Sequence, residues 1–207
     1  DRLAAQVLVT TLLLVVITTL GAAVGANTAL LSLTLQGAGS LRLDGGSVVT
    51  TGAQTYDNPI ALGANATLDG SNISLNEAVD GTFALTLSDS GTTTLGAAIG
   101  ANTALASLET DALGDTTISA GTIRTTGTQR YNDAVSLGGN LTAEGAGIRF
   151  ASIDGASTLT INDSGATELL GTVGGTIALT SLQTDAAGST TLGANITTVG
   201  AQSFLDA

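Results

Sequence analysis

The chain has 207 residues, 43% of them hydrophobic but only 2% aromatic, so a core must be built from Leu, Ile, Val and Ala, a composition suited to thin stacked layers. Seventeen acidic residues face five basic ones, all Arg, and the formal net charge of −12 excludes nucleic acid and anionic membrane surfaces as partners, since both require Lys/Arg clusters. Cys, Met and His are absent, which removes disulfides, thiolate and imidazole metal centres and the usual haem ligands.

In chain order, residues 1–19 are the atypical part. Leu12 to Ile17 form an apolar run. A membrane span needs about 20 mostly apolar residues, and a signal peptide needs a basic start. Neither is met, so no membrane insertion is expected, and the β-branched content predicts a buried strand. Residues 1–19 are expected to form a capping or boundary coil.

From Leu20 onward short alternating runs predict strands at 31–35, 41–43, 60–62, 73–75 and 83–87, each with an inner and an outer face. Gly, Asn, Asp and Ser supply the turns between them. No segment has sustained helical periodicity, so no helix is expected.

At Leu95 the chain begins to copy itself. The segment from Leu95 to Leu105, Leu-Gly-Ala-Ala-Ile-Gly-Ala-Asn-Thr-Ala-Leu, repeats Leu20 to Leu30 at an offset of 75 residues, and a looser copy starts at Leu170. Gly52-Ala-Gln-Thr-Tyr56 returns as Gly127-Thr-Gln-Arg-Tyr131 and again as Gly200-Ala-Gln-Ser-Phe204. The blocks are 20–94, 95–169 and a partial 170–207, with single-residue slips absorbed in turns. Such self-similarity marks an array of stacked units, here one continuous solenoid over 20–207.

Strands of about 5 residues and turns of about 2 to 4 give a three-sided coil of roughly 21 to 27 residues. A 75-residue block then holds roughly three coils. Equivalent sides stack in parallel at about 4.8 Å, so the whole chain makes a rod on the order of 40 Å long. An antiparallel sandwich or barrel fits the turn spacing too, but has no need of a long period. The expected fold is therefore an all-β parallel β-helix, or β-solenoid. With whole coils per block, Tyr56, Tyr131 and Phe204 are expected on one side of the rod, beside the pairs Thr50/Thr51 and Thr125/Thr126. These seven residues are the candidate repeat ladder and surface.

The blocks at 52–58, 127–133 and 179–188 resemble repeats of very large bacterial secreted adhesins and exoproteins of the filamentous haemagglutinin-like kind. The likeness covers about residues 20 to 207 and is weaker over 1–19. What it implies is a right-handed parallel β-helix exported to the cell surface or beyond, serving as the shaft of an adhesin or fibre. The secretion domain expected at the start of such proteins is not in this sequence, so an internal fragment is expected. The implied partners are copies of itself or flanking repeats, with host-cell or matrix glycans as further candidates.

No catalytic, cofactor or metal site is expected. The Asp-Gly pairs at 44, 69, 80 and 154, and Asp-Ser-Gly at 89–91 and 163–165, read as turns. Their spacing fits no calcium loop. Glu109 with Asp111 is the one close carboxylate pair on a strand face, as sugar cleavage would need, but Thr34 with Gln36 and Gln183 with Asp185 replace it in the other blocks. Ranks of Thr on a flat face offer a second function, binding of ice or a polysaccharide. The Asn-x-Ser/Thr triplets at Asn65, Asn72, Asn140, Asn162 and Asn195 read as amide ladders in turns.

Overall fold

A computed structural model describes residues 16–206, and among these it contains twenty-two strands and no helix. Every strand pairing is parallel. The chain is a β-solenoid of about nine turns. Parallel neighbours without helical crossovers require a full turn of chain between them, and the pairings supply it: Leu141 lies under Leu159, 18 residues on, and Ile99 under Ile123, 24 on.

Three faces make the coil. Face one stacks Ser47–Val49, Ala66–Gly70, Ala84–Asp89 and Ser107–Thr110, then the first part of Gln129–Leu137. Face two stacks Leu33–Leu35, Gln54–Tyr56, Ile73–Leu75, Thr92–Leu95 and Asp115–Ile118, then the second part of Gln129–Leu137. Face three stacks Val16–Leu20, Gly39–Leu43, Ile60–Leu62 and Val79–Asp80, passes through Ile99, and continues with Thr122–Arg124, Leu141–Gly145, Thr158–Asp163 and Ser181–Thr184. Alternation drives the burial. Along Gln129–Leu137 every second residue, from Gln129 through Tyr131, Asp133 and Val135 to Leu137, is buried. Leu, Ile and Val stack on their counterparts in the next coil and form one continuous apolar column.

The predicted strands at 41–43, 60–62 and 73–75 lie inside observed ones, and those at 31–35 and 83–87 overlap Leu33–Leu35 and Ala84–Asp89. Residues 1–15 of the expected boundary coil lie outside the described residues. Its end belongs to Val16–Leu20, where alternation turns Ile17 outward at 63% exposure.

The phase of the repeat differs from the expectation of whole coils. Val24 pairs on face one with Val48, its repeat equivalent Ile99 pairs on face three between Val79 and Ile123, and the third copy, Val173, pairs on face two between Ile153 and Ile196. Following the pairings from Val24 to Ile99 crosses eleven sides, which is three coils and two further sides. Many strands span three or four residues, so a side takes fewer residues than assumed. Each block is thus set on the previous one by a screw that leaves every landmark on a new face.

Candidate functional site

The seven residues singled out by the repeat belong to three copies of one corner, whose inner part is buried in the first two copies, whereas Phe204 of the third is exposed. Tyr56 and Tyr131 are fully buried and Thr50 and Thr125 nearly so, while Thr51 and Thr126 are exposed. Thr50 Oγ1 donates to Gly52 O at 2.6 Å. Gln54 Nε2 donates to Val48 O at 3.2 Å and to Asp69 O of the next coil at 2.8 Å, and its Oε1 accepts from Tyr56 OH at 2.7 Å. The second copy repeats this: Thr125 Oγ1 to Gly127 O at 2.8 Å, Gln129 Nε2 to Ile123 O at 3.2 Å and Glu144 O at 2.7 Å, Tyr131 OH to Gln129 Oε1 at 3.1 Å. A polar cluster in an apolar column is stable only when its donors and acceptors are matched, and these match one another. Burial raises both phenols above their ordinary range, and for Tyr131 the nearby Asp133 adds to it.

These residues do not stand on one side of the rod. Tyr56 stacks with Leu35 and Leu75 on face two, and Tyr131 with Thr110 and Phe150 on face one. Gln202–Ser203 pairs with Leu182 and Gln183 on face three, which carries Phe204 there. The expected ladder is therefore absent: the same corner is used once at each of the three corners. Buried Tyr56 and Tyr131 also offer no surface to a sugar.

Beyond the corners, aspartates join coil to coil. Asp89 is buried and accepts from Asn72 N and Ile73 N at 2.7 Å each, from Gly91 N at 2.9 Å and from Thr93 Oγ1 at 3.0 Å. Asp163 repeats the arrangement with Gly147 N, Ile148 N, Gly165 N and Thr167 Oγ1. The Asp-Ser-Gly context predicts a turn here, and the alternation in Leu85-x-Leu87-x-Asp89 also places Asp89 on the inner face. Asp133, also buried, accepts from Thr110 Oγ1 at 2.7 Å and Thr116 Oγ1 at 2.6 Å. Burial pushes its carboxyl above the usual range, with the hydroxyl bonds acting against this and Asp111 with it.

The Gly-Ala-Asn-Thr-Ala segment is a protruding loop. Ile99 and Leu105 lie under Ile123 and Thr125, so four of its residues have no place in the coil and bulge outward. Asp80 of the coil below clamps it, accepting from Asn102 N and Thr103 N at 2.9 Å each. Asp154 does the same for Thr176 N and Ile177 N. The Asp-Gly pairs at 80 and 154 are thus inter-coil clamps as well as turns.

Glu109 points outward from face one, whereas Asp111 Oδ1 accepts from Asp89 N at 3.2 Å, so the two carboxylates are not set about a common cleft. Asn65 and Asn140 do not form amide ladders: each accepts from a backbone N–H of the next coil, Ala84 and Thr158 respectively. Among the described residues no group of three or more metal-ligating side chains converges.

No family model matches the chain, and no curated protein or solved structure matches it either.

Proposed function

We propose that this chain is a structural shaft, a rigid segment of an extracellular fibre or bacterial cell-surface adhesin, without catalytic activity. The observation that carries this reading is the eleven-side phase of the repeat. A binding module multiplies one feature on one face; here corners and loops move to a new face with each block. That pattern builds a column of uniform section, as a spacer needs. Coil-to-coil backbone ladders, aspartate clamps and stacked aliphatic rows resist bending and pulling. An acidic surface at net charge −12 discourages side-by-side association of such rods. Stacking on copies of itself or on flanking repeats would add coils to the same parallel ladder that joins Gln202–Ser203 to Ser181–Thr184.

Small-angle scattering tests this. A rod whose length grows with concentration at constant cross-section supports the reading, and thickening by lateral association sinks it. Surface exposure is tested by protease treatment of intact producing cells: full protection of the chain would place it elsewhere.

One observation favours the second reading, binding of ice or a polysaccharide. Thr34, Thr55, Ser74, Thr94, Thr117 and Ser136 stand in register on six successive coils of face two. The Thr pairs expected to supply such a rank do not, because Thr50 and Thr125 are buried. Thermal hysteresis at high protein concentration, abolished by T55V with T94V, would select ice binding over the shaft.

A further inference from the structure

One outward rank changes character between blocks. In the first block it is Thr34, Thr55, Ser74 and Thr94, in register on face two. Their repeat equivalents are Glu109, Arg130, Arg149 and Glu168, in register on face one. Each hydroxyl is replaced by a charge, in a chain where only 11% of residues are charged. Thr67 and Thr86 precede the quartet on the same rank and Thr191 follows it, so the change is confined to four rungs.

The order of the charges leaves its centre positive. Alternating signs would give each Arg a Glu on both sides. Instead Arg130 and Arg149 are direct neighbours on rungs about 4.8 Å apart, a like-charge pairing that destabilises a sheet. The glutamates compensate it only in part: Glu168 makes one long ion pair with Arg149, and among the described residues Glu109, the rung neighbour of Arg130, makes none. Glu109 Oε1 accepts from Asn132 Nδ2 at 3.2 Å, and Glu168 Oε2 stands 3.9 Å from Arg149 Nε, beyond hydrogen-bond length. Arg149 Nε is buried without a hydrogen-bond partner, and among the described residues Arg130 has no ion-pair partner.

We infer that Arg130 and Arg149 together hold a single oxyanion carried on an otherwise neutral, hydroxyl-rich chain: an acidic glycan of sparse charge lying along face one. Two guanidinium forks on adjacent rungs offer paired donors to the oxygens of a carboxylate, sulfate or phosphate. Glu109 and Glu168, one rung to either side, repel a second anion and accept hydroxyls instead. A polymer charged at every sugar is therefore disfavoured, and the net charge of −12 adds to its exclusion. The site needs no catalytic group and is independent of the shaft reading.

Titration calorimetry with four probes tests it: a neutral oligosaccharide, the same glycan bearing one uronate, a polyuronate of equal length, and inorganic phosphate. The single-uronate glycan is expected to bind one per chain, with the other three about tenfold weaker or worse. R130Q and R149Q should each weaken it about tenfold without lowering the melting temperature, since each removes one member of the like-charge pairing. E109Q with E168Q should admit the polyuronate. Transplanting the quartet to face two as T34E, T55R, S74R and T94E should raise the stoichiometry to two. Equal binding of the neutral glycan, no loss in the Arg variants, or no binding of any probe overturns the inference. Phosphate binding as tightly as the single-uronate glycan would assign the site to a free oxyanion and overturn the glycan.

Discussion

The corners around Gln54 and Gln129 have nearly the same sequence and the same internal hydrogen bonds, yet one turns the chain from face one to face two and the other from face three to face one. Each finds all its partners but one within six residues. The exception is a carbonyl of the next coil, Asp69 O or Glu144 O, which any corner supplies. A motif so nearly self-sufficient works wherever the chain must turn inward. What differs is the flank. After Tyr56, Pro59 interrupts the strand and Asn58 reaches out to Gly37 O and Gly39 O. After Tyr131 the strand runs on to Leu137 with a register shift, Asp133 turns inward, and Phe150 stacks on Tyr131 at 4.6 Å. The corner is portable, whereas buried charge is a property of its surroundings.

The strongest way to break this comparison is to deny a landmark its backbone. Gly100 and Gly174, on faces three and two, have φ of +69° and +67°, and a Cβ there would lie 2.1 Å from Arg124 O and Thr197 O. Gly100→Ala and Gly174→Ala should each cost about 3 kcal/mol, read from urea midpoints. A cost below about 1 kcal/mol at either would mean that the loop adapts to its face.

Next in size are Gln54→Leu and Gln129→Leu, which leave buried carbonyls and a phenol unmatched. Each should cost about 2 kcal/mol, and portability requires the two costs to agree. A clear difference would show that the surroundings share in holding the corner. Tyr56→Phe and Tyr131→Phe remove one hydroxyl bond each, about 1 kcal/mol, with the smaller loss at Tyr131 because its bond is longer, 3.1 against 2.7 Å.

The smallest effect concerns the flank. Because the folded carboxyl of Asp133 titrates above its unfolded range, the folded chain holds that proton more tightly. Its contribution to stability is complete below the unfolded value and is lost as pH rises through the folded one. Asp133→Asn should therefore melt level with the parent near pH ~4 and above it near pH ~7. A variant that melts lower at neutral pH would show that the ionised form is the one the Thr110 and Thr116 hydroxyls stabilise.

Much of the architecture was legible in the sequence. Alternation in Ile60-Ala-Leu62 or Ile73-Ser-Leu75 follows from a strand with one buried face, and a 75-residue copy follows from stacking. Alternation also contained the inward Asp89, although its Asp-Ser-Gly context suggested a turn. The charged quartet was not legible, since Glu109, Arg130, Arg149 and Glu168 are about twenty residues apart and only the coil brings them into register.

The sequence by itself determined that this chain is a parallel column of short strands, because period and alternation are properties of the chain alone. Only the tertiary structure decided which face each landmark occupies. Face depends on how many residues a side consumes and how many a loop throws out of the coil. Over eleven sides a difference of one residue per side moves Tyr131 from above Tyr56 to another wall.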